Sequence, residues 1–109
     1  MSSRELLRSI LATSGHEVVE ATDGVEVLEA MTSFRPSLLI LDMRLSGMDG
    51  YATARCVRRL RGFEVTPIIG LMASPAHVAL EEIAAAGISE YLIKPIGPAR
   101  LRECVGRLL

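Results

Sequence analysis

Residues 38–50 read LLILDMRLSGMDG. Four aliphatic residues, Leu38 to Leu41, run unbroken into a single carboxylate, Asp42, and continuous apolar character ends there. Pro36 stands before the run and a glycine-bearing segment follows it. A short apolar run between such breaks is the pattern of a parallel strand covered on both faces. A carboxylate at the carboxyl end of such a strand lies where open α/β sheets keep their chemistry. Asp42 is therefore either a reactive group or the start of a turn, because aspartate also favours turns.

Upstream, the Thr22-Asp23-Gly24 turn precedes Val25, Leu28 and Met31, whose spacing predicts a helix with those residues buried. Before that turn, His16–Ala21 (HEVVEA) predicts a short strand. Ser2 and Glu5 have capping-box spacing, Leu6, Leu7, Ile10 and Leu11 follow on one face, and Gly15 closes this first helix. Downstream, Asp49-Gly50 opens a helix to about Leu60, with Asp49 as its N-cap rather than a metal ligand. Arg55, Arg58, Arg59 and Arg61 mark its solvent side, and Gly62 ends it. Thr66–Met72 reads as another buried strand with Pro67 at its entrance. Ser74-Pro75 predicts a capped helix through Val78 and Ile83 to Gly87. Glu90–Ile93 is the last strand, and Gly97-Pro98 starts a final helix that turns Leu101, Val105, Leu108 and Leu109 inward. Helices and strands alternating in this way form a parallel sheet wrapped by helices.

The 109 residues suit one domain with no output domain attached. Half of them are hydrophobic but only 4% are aromatic, so the core is aliphatic. Twelve basic residues against thirteen acidic ones favour neither nucleic acid nor an anionic membrane as partner. No apolar run is long enough to span a bilayer, and Arg4, Glu5 and Arg8 break up any secretory signal. Cys56 and Cys104 match no metal or redox motif and point to the cytoplasm. His16 and His77 share no spacing with a carboxylate motif and read as solvated.

With these pieces in order, the chain resembles a bacterial response-regulator receiver domain. The resemblance is carried by EVVEATDGVEVLEAM, PSLLILDMRLSGMDGY, TPIIGLMAS, AAAGISEYLIKPI and ARLRECV, and runs from about Arg4 to the C-terminus. The joint spacing of Asp42, MDG at 48–50, Met72-Ala73-Ser74, Tyr91 and Lys94-Pro95 makes it specific. It implies a flavodoxin-like, doubly wound parallel sheet with helices on both faces, here reduced to about four strands and five helices. It further implies that Asp42 accepts a phosphoryl group from a histidine kinase or phosphotransfer protein, and that Lys94 and Ala73 contact its oxygens. Tyr91 and the position held by Met72 would take part in the switch, and Lys94-Pro95 would be a cis peptide. Lys94 is the sole lysine beside eleven arginines, and a compact ammonium differs from a guanidinium fork in reach and hydration.

Two departures from the family pattern stand out. Family members begin with an apolar strand ending in an acidic pair that helps to hold Mg²⁺, but here no Asp or Glu precedes Glu5. The Thr or Ser that bonds the phosphoryl group is replaced by Met72, while Ser46 stands where proline is usual. Mg²⁺ prefers several oxygen ligands in octahedral array, so Asp42 with the Arg44 backbone predicts weak binding or none. In the family sheet order, 2-1-3-4-5, the missing strand is central. Its absence leaves His16–Ala21 and Leu38–Asp42 with free edges, or pairs them directly through a right-handed crossover. Such edges, with the apolar faces of the first and last helices, predict a homodimer.

The expectation is a stand-alone, atypical receiver, not an enzyme, that works through protein contacts. The alternative within signalling is a degenerate receiver that is never phosphorylated and serves as an interaction or dimerisation module. A small doubly wound enzyme or flavin-type carrier is remote, since no Gly-rich phosphate loop follows the first strand.

Overall fold

A computed structural model describes residues 3–44 and 49–109. The Ser2 capping role, Ser46, Met48 and the side chain of His77 lie outside the described residues. Among those described, the chain forms α1 (Ser3–Thr13), α2 (Gly24–Phe34), β1 (Leu39–Asp42), α3 (Gly50–Arg59) and β2 (Ile68–Met72). A single 3₁₀ turn over Pro75–His77 leads to α4 (Leu80–Ala85), β3 (Glu90–Ile93) and α5 (Pro98–Leu108). The three strands are parallel in the order β1-β2-β3, with Asp42 opposite Leu71 and Met72 opposite Ile93.

The period-two alternation of strands sorts the core into two layers. Leu39, Leu41, Met43, Ile68 and Met72 pack with Val27 and Met31 of α2 and with Ala54 and Val57 of α3. Leu38, Ile40, Ile69, Leu71 and Leu92 pack on the other face, with Ile10 of α1 and Leu101, Cys104 and Val105 of α5. Every residue of β2 is buried, which is why its sequence is continuously apolar rather than alternating. Each fully buried aliphatic side chain there contributes about 1.5–3 kcal/mol relative to exposure.

Local signals set the helix ends. The Asp23 carboxylate accepts from the Glu26 amide at 2.9 Å, and the Glu26 carboxylate accepts from the Thr22 amide and hydroxyl at 2.8 Å. Asp49 caps α3 in the same way, its carboxylate accepting from the Ala52 amide at 2.7 Å. Satisfying these first-turn amides is worth about 1 kcal/mol per cap.

Four expectations need correction. His16–Ala21 forms no strand, so the sheet has three strands rather than four. A strand exists only through its ladder, and this stretch forms none among the described residues. A cavity of about 770 Å³ is shared between it and the outer edge of β1. Second, the helix expected from Ser74 to Gly87 is split. Val78 and Ala79 are extended, and Val78 packs inward on the core, leaving the 3₁₀ turn and the short α4 on either side.

Third, Val25 is 57% exposed and Val27 takes the buried position instead, while Leu109 points outward at 58%. A helix that begins at Gly24 turns Val27 and Met31, four residues apart, onto one face and carries Val25 off it. Leu109 follows α5 as its cap and borders the cavity rather than a packed neighbour. Fourth, Arg58 does not belong to the wet side of α3. Its guanidinium donates to the Gly87 carbonyl through Nε at 3.0 Å and Nη2 at 2.6 Å, and to the Phe63 carbonyl through Nη1 at 2.9 Å. A left-handed Gly87, φ +79°, turns that carbonyl while leaving room for the arginine stem, which would strike a Cβ at 2.7–3.2 Å.

Candidate functional site

The site lies at the carboxyl ends of the three strands. Asp42 is the last residue of β1, Met72 the last of β2, and Lys94 follows β3 directly. The ladder runs one step past the strands: the Met43 amide donates to the Leu71 carbonyl at 3.1 Å, and the Lys94 amide to the Met72 carbonyl at 2.9 Å. Lys94 is thereby fixed at its main chain while its side chain reaches back across the sheet. Its ammonium donates to Asp42 Oδ2 at 2.6 Å, joining residues 52 apart in sequence. The other carboxylate oxygen, Oδ1, accepts from the Arg44 amide at 2.9 Å. The Lys94–Pro95 peptide is cis, as the resemblance implied.

The two side chains are 37% and 26% exposed, so the pair opens to solvent. An ion pair in such a setting adds roughly 0–1 kcal/mol to stability, so its value is positional rather than structural. It sets an acceptor oxygen beside a cation. That arrangement suits attack by the carboxylate on an electrophilic phosphorus, with the ammonium neutralising charge on the transferred oxygens.

Two glycines leave room around the residue that follows Asp42. A Cβ on Gly50 would meet the Met43 Cα at 2.6 Å, so the start of α3 lies directly against the residue after Asp42. Met43 also covers Gly70, where a Cβ would come within 3.2 Å of its sulfur. Met43 was not singled out in the sequence, and only the paired glycines on either side of it hinted at its role.

Met72 is 1% exposed and packs in the layer with Val78, Ile83, Tyr91 and Ile93, so an apolar thioether stands at the end of β2. Ala73 and Tyr91 are half-buried, and Tyr91 sits opposite Gly70 in the ladder. Neither hydrogen-bonds to the Asp42–Lys94 pair among the described residues. The structure thus joins Asp42, Lys94 and the Arg44 amide, and leaves Met72, Ala73 and Tyr91 alongside.

The residues present do not fit a divalent metal of the usual kind. Mg²⁺ takes octahedral oxygen ligands, usually with one or two carboxylates. Among the described residues, Asp42 already has a contact on each carboxylate oxygen, and Asp49 is engaged in capping α3. Among the described residues no three His, Cys, Asp or Glu side chains cluster to hold an ion.

Away from the site, Arg107 holds the Glu90 carboxylate through Nε at 2.9 Å and Nη2 at 2.6 Å. That guanidinium holds the Glu90 carboxyl below its usual range. Burial, and then the Glu90 charge, push the neighbouring Cys104 thiol up, which keeps it protonated and inert. Cys56 and Cys104 are both free thiols on helices.

The sequence profile described as "Response regulator receiver domain" matches residues 1–106. The cyclic di-GMP phosphodiesterase response regulator RpfG of Xanthomonas campestris pv. campestris is 34% identical over all of this chain and 29% of its own length. The transcriptional regulatory protein AfsQ1 of Streptomyces coelicolor is 32% identical, covering 95% of this chain and 47% of itself. The chain therefore spans less than half the length of these curated relatives.

Among solved structures, the Vibrio cholerae chemotaxis protein CheY4 superposes with a TM-score of 0.89 at 29% identity, over 97% of this chain and 88% of that one. The receiver domain of sensor histidine kinase PA1611 from Pseudomonas aeruginosa, solved with magnesium in its active-site cleft, gives 0.88 at 27%, over 97% and 87%. The profile match, these relatives and the strand-end geometry agree: the chain has the flavodoxin-like receiver fold and belongs to the response-regulator receiver domains of two-component signalling.

Proposed function

We propose that Asp42 is the phosphoacceptor of this receiver and that a histidine kinase or a histidine phosphotransfer protein is its donor. The observation that carries this is the 2.6 Å contact between Asp42 and the sole lysine, made across the open end of the sheet. A carboxylate oxygen of Asp42 attacks phosphorus, the P–N bond to the donor histidine breaks, and the imidazole leaves to take up a proton. An acyl phosphate forms on Asp42, and Lys94 moves from the carboxylate to the new phosphoryl oxygens.

In this reading the Ala73 main-chain amide is a further contact to the phosphoryl oxygens. Met72 and Tyr91 transmit the change through the shared core layer rather than by a hydroxyl bond. The chain acts by contact with other proteins in the cytoplasm and performs no turnover of its own. Mg²⁺ binds weakly, because one already occupied carboxylate is a poor ligand set.

Incubation with acetyl phosphate or a phosphorylated donor, followed by peptide mass mapping, should put the label on Asp42. Label that persists in Asp42→Asn overturns the assignment. Exposed Leu6 and Leu109, at 39% and 58%, support symmetric self-association through the neighbouring α1 and α5. Light scattering over a dilution series should find a dimer at micromolar concentration, and a monomer throughout removes that reading.

A further inference from the structure

The end of α3 and the turn after it carry a surface that the phosphoacceptor site leaves unused. Residues 55–61 read RCVRRLR, and between Gly50 and Val65 the only acid is Glu64. Arg55, Arg59 and Arg61 are exposed, while Arg58 is turned away from them onto the Gly87 and Phe63 carbonyls. Arg35, exposed at the end of α2, joins the group. Its guanidinium lies 4.8 Å from the Phe63 ring centroid and 2.6 Å from where a Cβ on Gly62 would stand.

Three observations separate these arginines from an ordinary wet helix face. Arg8, Lys94, Arg100 and Arg107 each meet a carboxylate at 3.7 Å or less. Arg35, Arg55, Arg59 and Arg61 meet none among the described residues, and Glu64 turns both oxygens to the Gly62 amide instead, at 3.0 and 3.2 Å. Arg55 and Arg59 stand one helical turn apart, where like charges repel. Arg35 has a φ of +48°, the one positive value outside glycine among the described residues, at a helix end where glycine would be free of strain.

The turn is braced before anything binds, because Arg58 bonds the Phe63 carbonyl at 2.9 Å while Arg35 covers the ring. Apolar side chains stand among the charges. Phe34, next to Arg35, is 60% exposed, and Val65, two residues after Phe63, is 90% exposed. These segments precede β1 and β2, at the amino ends of the strands, whereas Asp42 and Lys94 lie at the carboxyl ends. Four strand residues separate the two ends by about 13 Å, so a partner here leaves Asp42 open to its donor.

Charge and apolar exposure together select the occupant. Cations one turn apart match carboxylates at the same spacing, and a guanidinium fork pairs with a carboxylate through two bonds. A nucleic acid would carry its phosphates beyond this patch onto a chain of net charge −1, and would leave Phe34 and Val65 without an apolar neighbour. We infer that Arg35, Arg55, Arg59 and Arg61 form a docking surface for an acidic segment of a partner protein. Its carboxylates lie about one helical turn apart, with an aliphatic or aromatic residue among them.

Docking here does not involve Asp42 and is tested without phosphorylation. The probe is a synthetic peptide of glutamates spaced four apart with leucines between them, titrated into the isotope-labelled chain and followed by NMR. The expected result is saturable shifts at Phe34, Arg35, Arg55, Arg59 and Arg61, with little change at Lys94 and the same affinity in Asp42→Asn. Affinity should fall as salt rises from about 0.05 M to about 0.5 M. The same peptide with glutamine for glutamate should bind at least about tenfold more weakly.

Arg59→Glu should weaken the peptide about fivefold, and Arg102→Glu, the same change at an exposed arginine of α5, less than about twofold. Arg35→Gly relieves the left-handed strain and removes the charge, so it should weaken binding about threefold in a chain that stays folded. If that variant unfolds, the comparison of Arg59→Glu with Arg102→Glu decides alone. Unchanged amides at millimolar peptide, equal binding of the glutamine peptide, or equal losses in those two variants overturns the inference. So does tighter binding of a single-stranded oligonucleotide at the same residues, which would assign the surface to nucleic acid.

Discussion

The two edges of β1 sit in opposite circumstances. On the β2 side, every ladder position from Leu39 to Asp42 has a partner, and β2 in turn is buried over its whole length between β1 and β3. On the other side the same four residues face a cavity, and the nearest stretch, His16–Ala21, forms no ladder at all. The side chains differ little: HEVVEA is as valine-rich as many strands. What differs is whether a neighbour lies one strand spacing away. Strand propensity is a statement about fit to a neighbour more than about the chain itself.

The largest contrast should appear in truncation experiments. Ile69→Ala removes a fully buried side chain from the closed side and is expected to cost about 2–5 kcal/mol. Val19→Ala on the open side, at 45% exposure, should change stability by no more than about 0.5 kcal/mol. Urea unfolding of the two variants checks this, and equal losses would mean that the His16–Ala21 stretch is packed in solution.

A smaller effect belongs to Arg58, which ties α3 to the turn before β3. Arg58→Ala strands the Gly87 and Phe63 carbonyls and should cost about 1–3 kcal/mol, with exchange speeding up at the Gly87 turn rather than near Val19. Arg58→Lys should recover only part of the loss, since one ammonium cannot span both carbonyls.

The smallest effect concerns pH. Glu90, at the start of β3, has its carboxyl held low chiefly by Arg107. A carboxyl lower in the folded state than in the unfolded one adds stability above its unfolded value, and that stability drains away as pH falls through the folded one. The pair is open to solvent, so the effect is screened. Thermal melts should show Glu90→Gln slightly less stable than the parent at neutral pH. The two should converge in acid, below the ordinary carboxylate range, and a gap that persists there refutes the account.

Sequence legibility followed the same divide. β1, β2 and β3, the caps at Asp23 and Asp49, and the meeting of Asp42 with Lys94 were all legible, because each rests on local pattern or on spacing specific to a family. The three-stranded outcome was not, because whether His16–Ala21 pairs depends on chain remote from it. Arg58 was misread for a related reason: hydropathy assigns an arginine to solvent, and nothing near residue 58 announces a carbonyl at Gly87. The break at Val78 escaped because Ser74-Pro75 is a sound start signal whatever length of helix follows.

The Asp42 carboxylate is asymmetric in a way that bears on how the group can be modified. A carboxylate free in water exchanges its oxygens by rotation about a single bond. Here rotation would break a main-chain contact, since Oδ1 is pinned by the Arg44 amide while Oδ2 is held by a flexible lysine arm. The two oxygens therefore carry different leaving penalties for whatever already touches them. A new bond at Oδ2 displaces only a mobile ammonium, which swings toward the incoming charge. A new bond at Oδ1 instead disturbs the backbone just after the strand and leads straight into Met43, on which α3 rests.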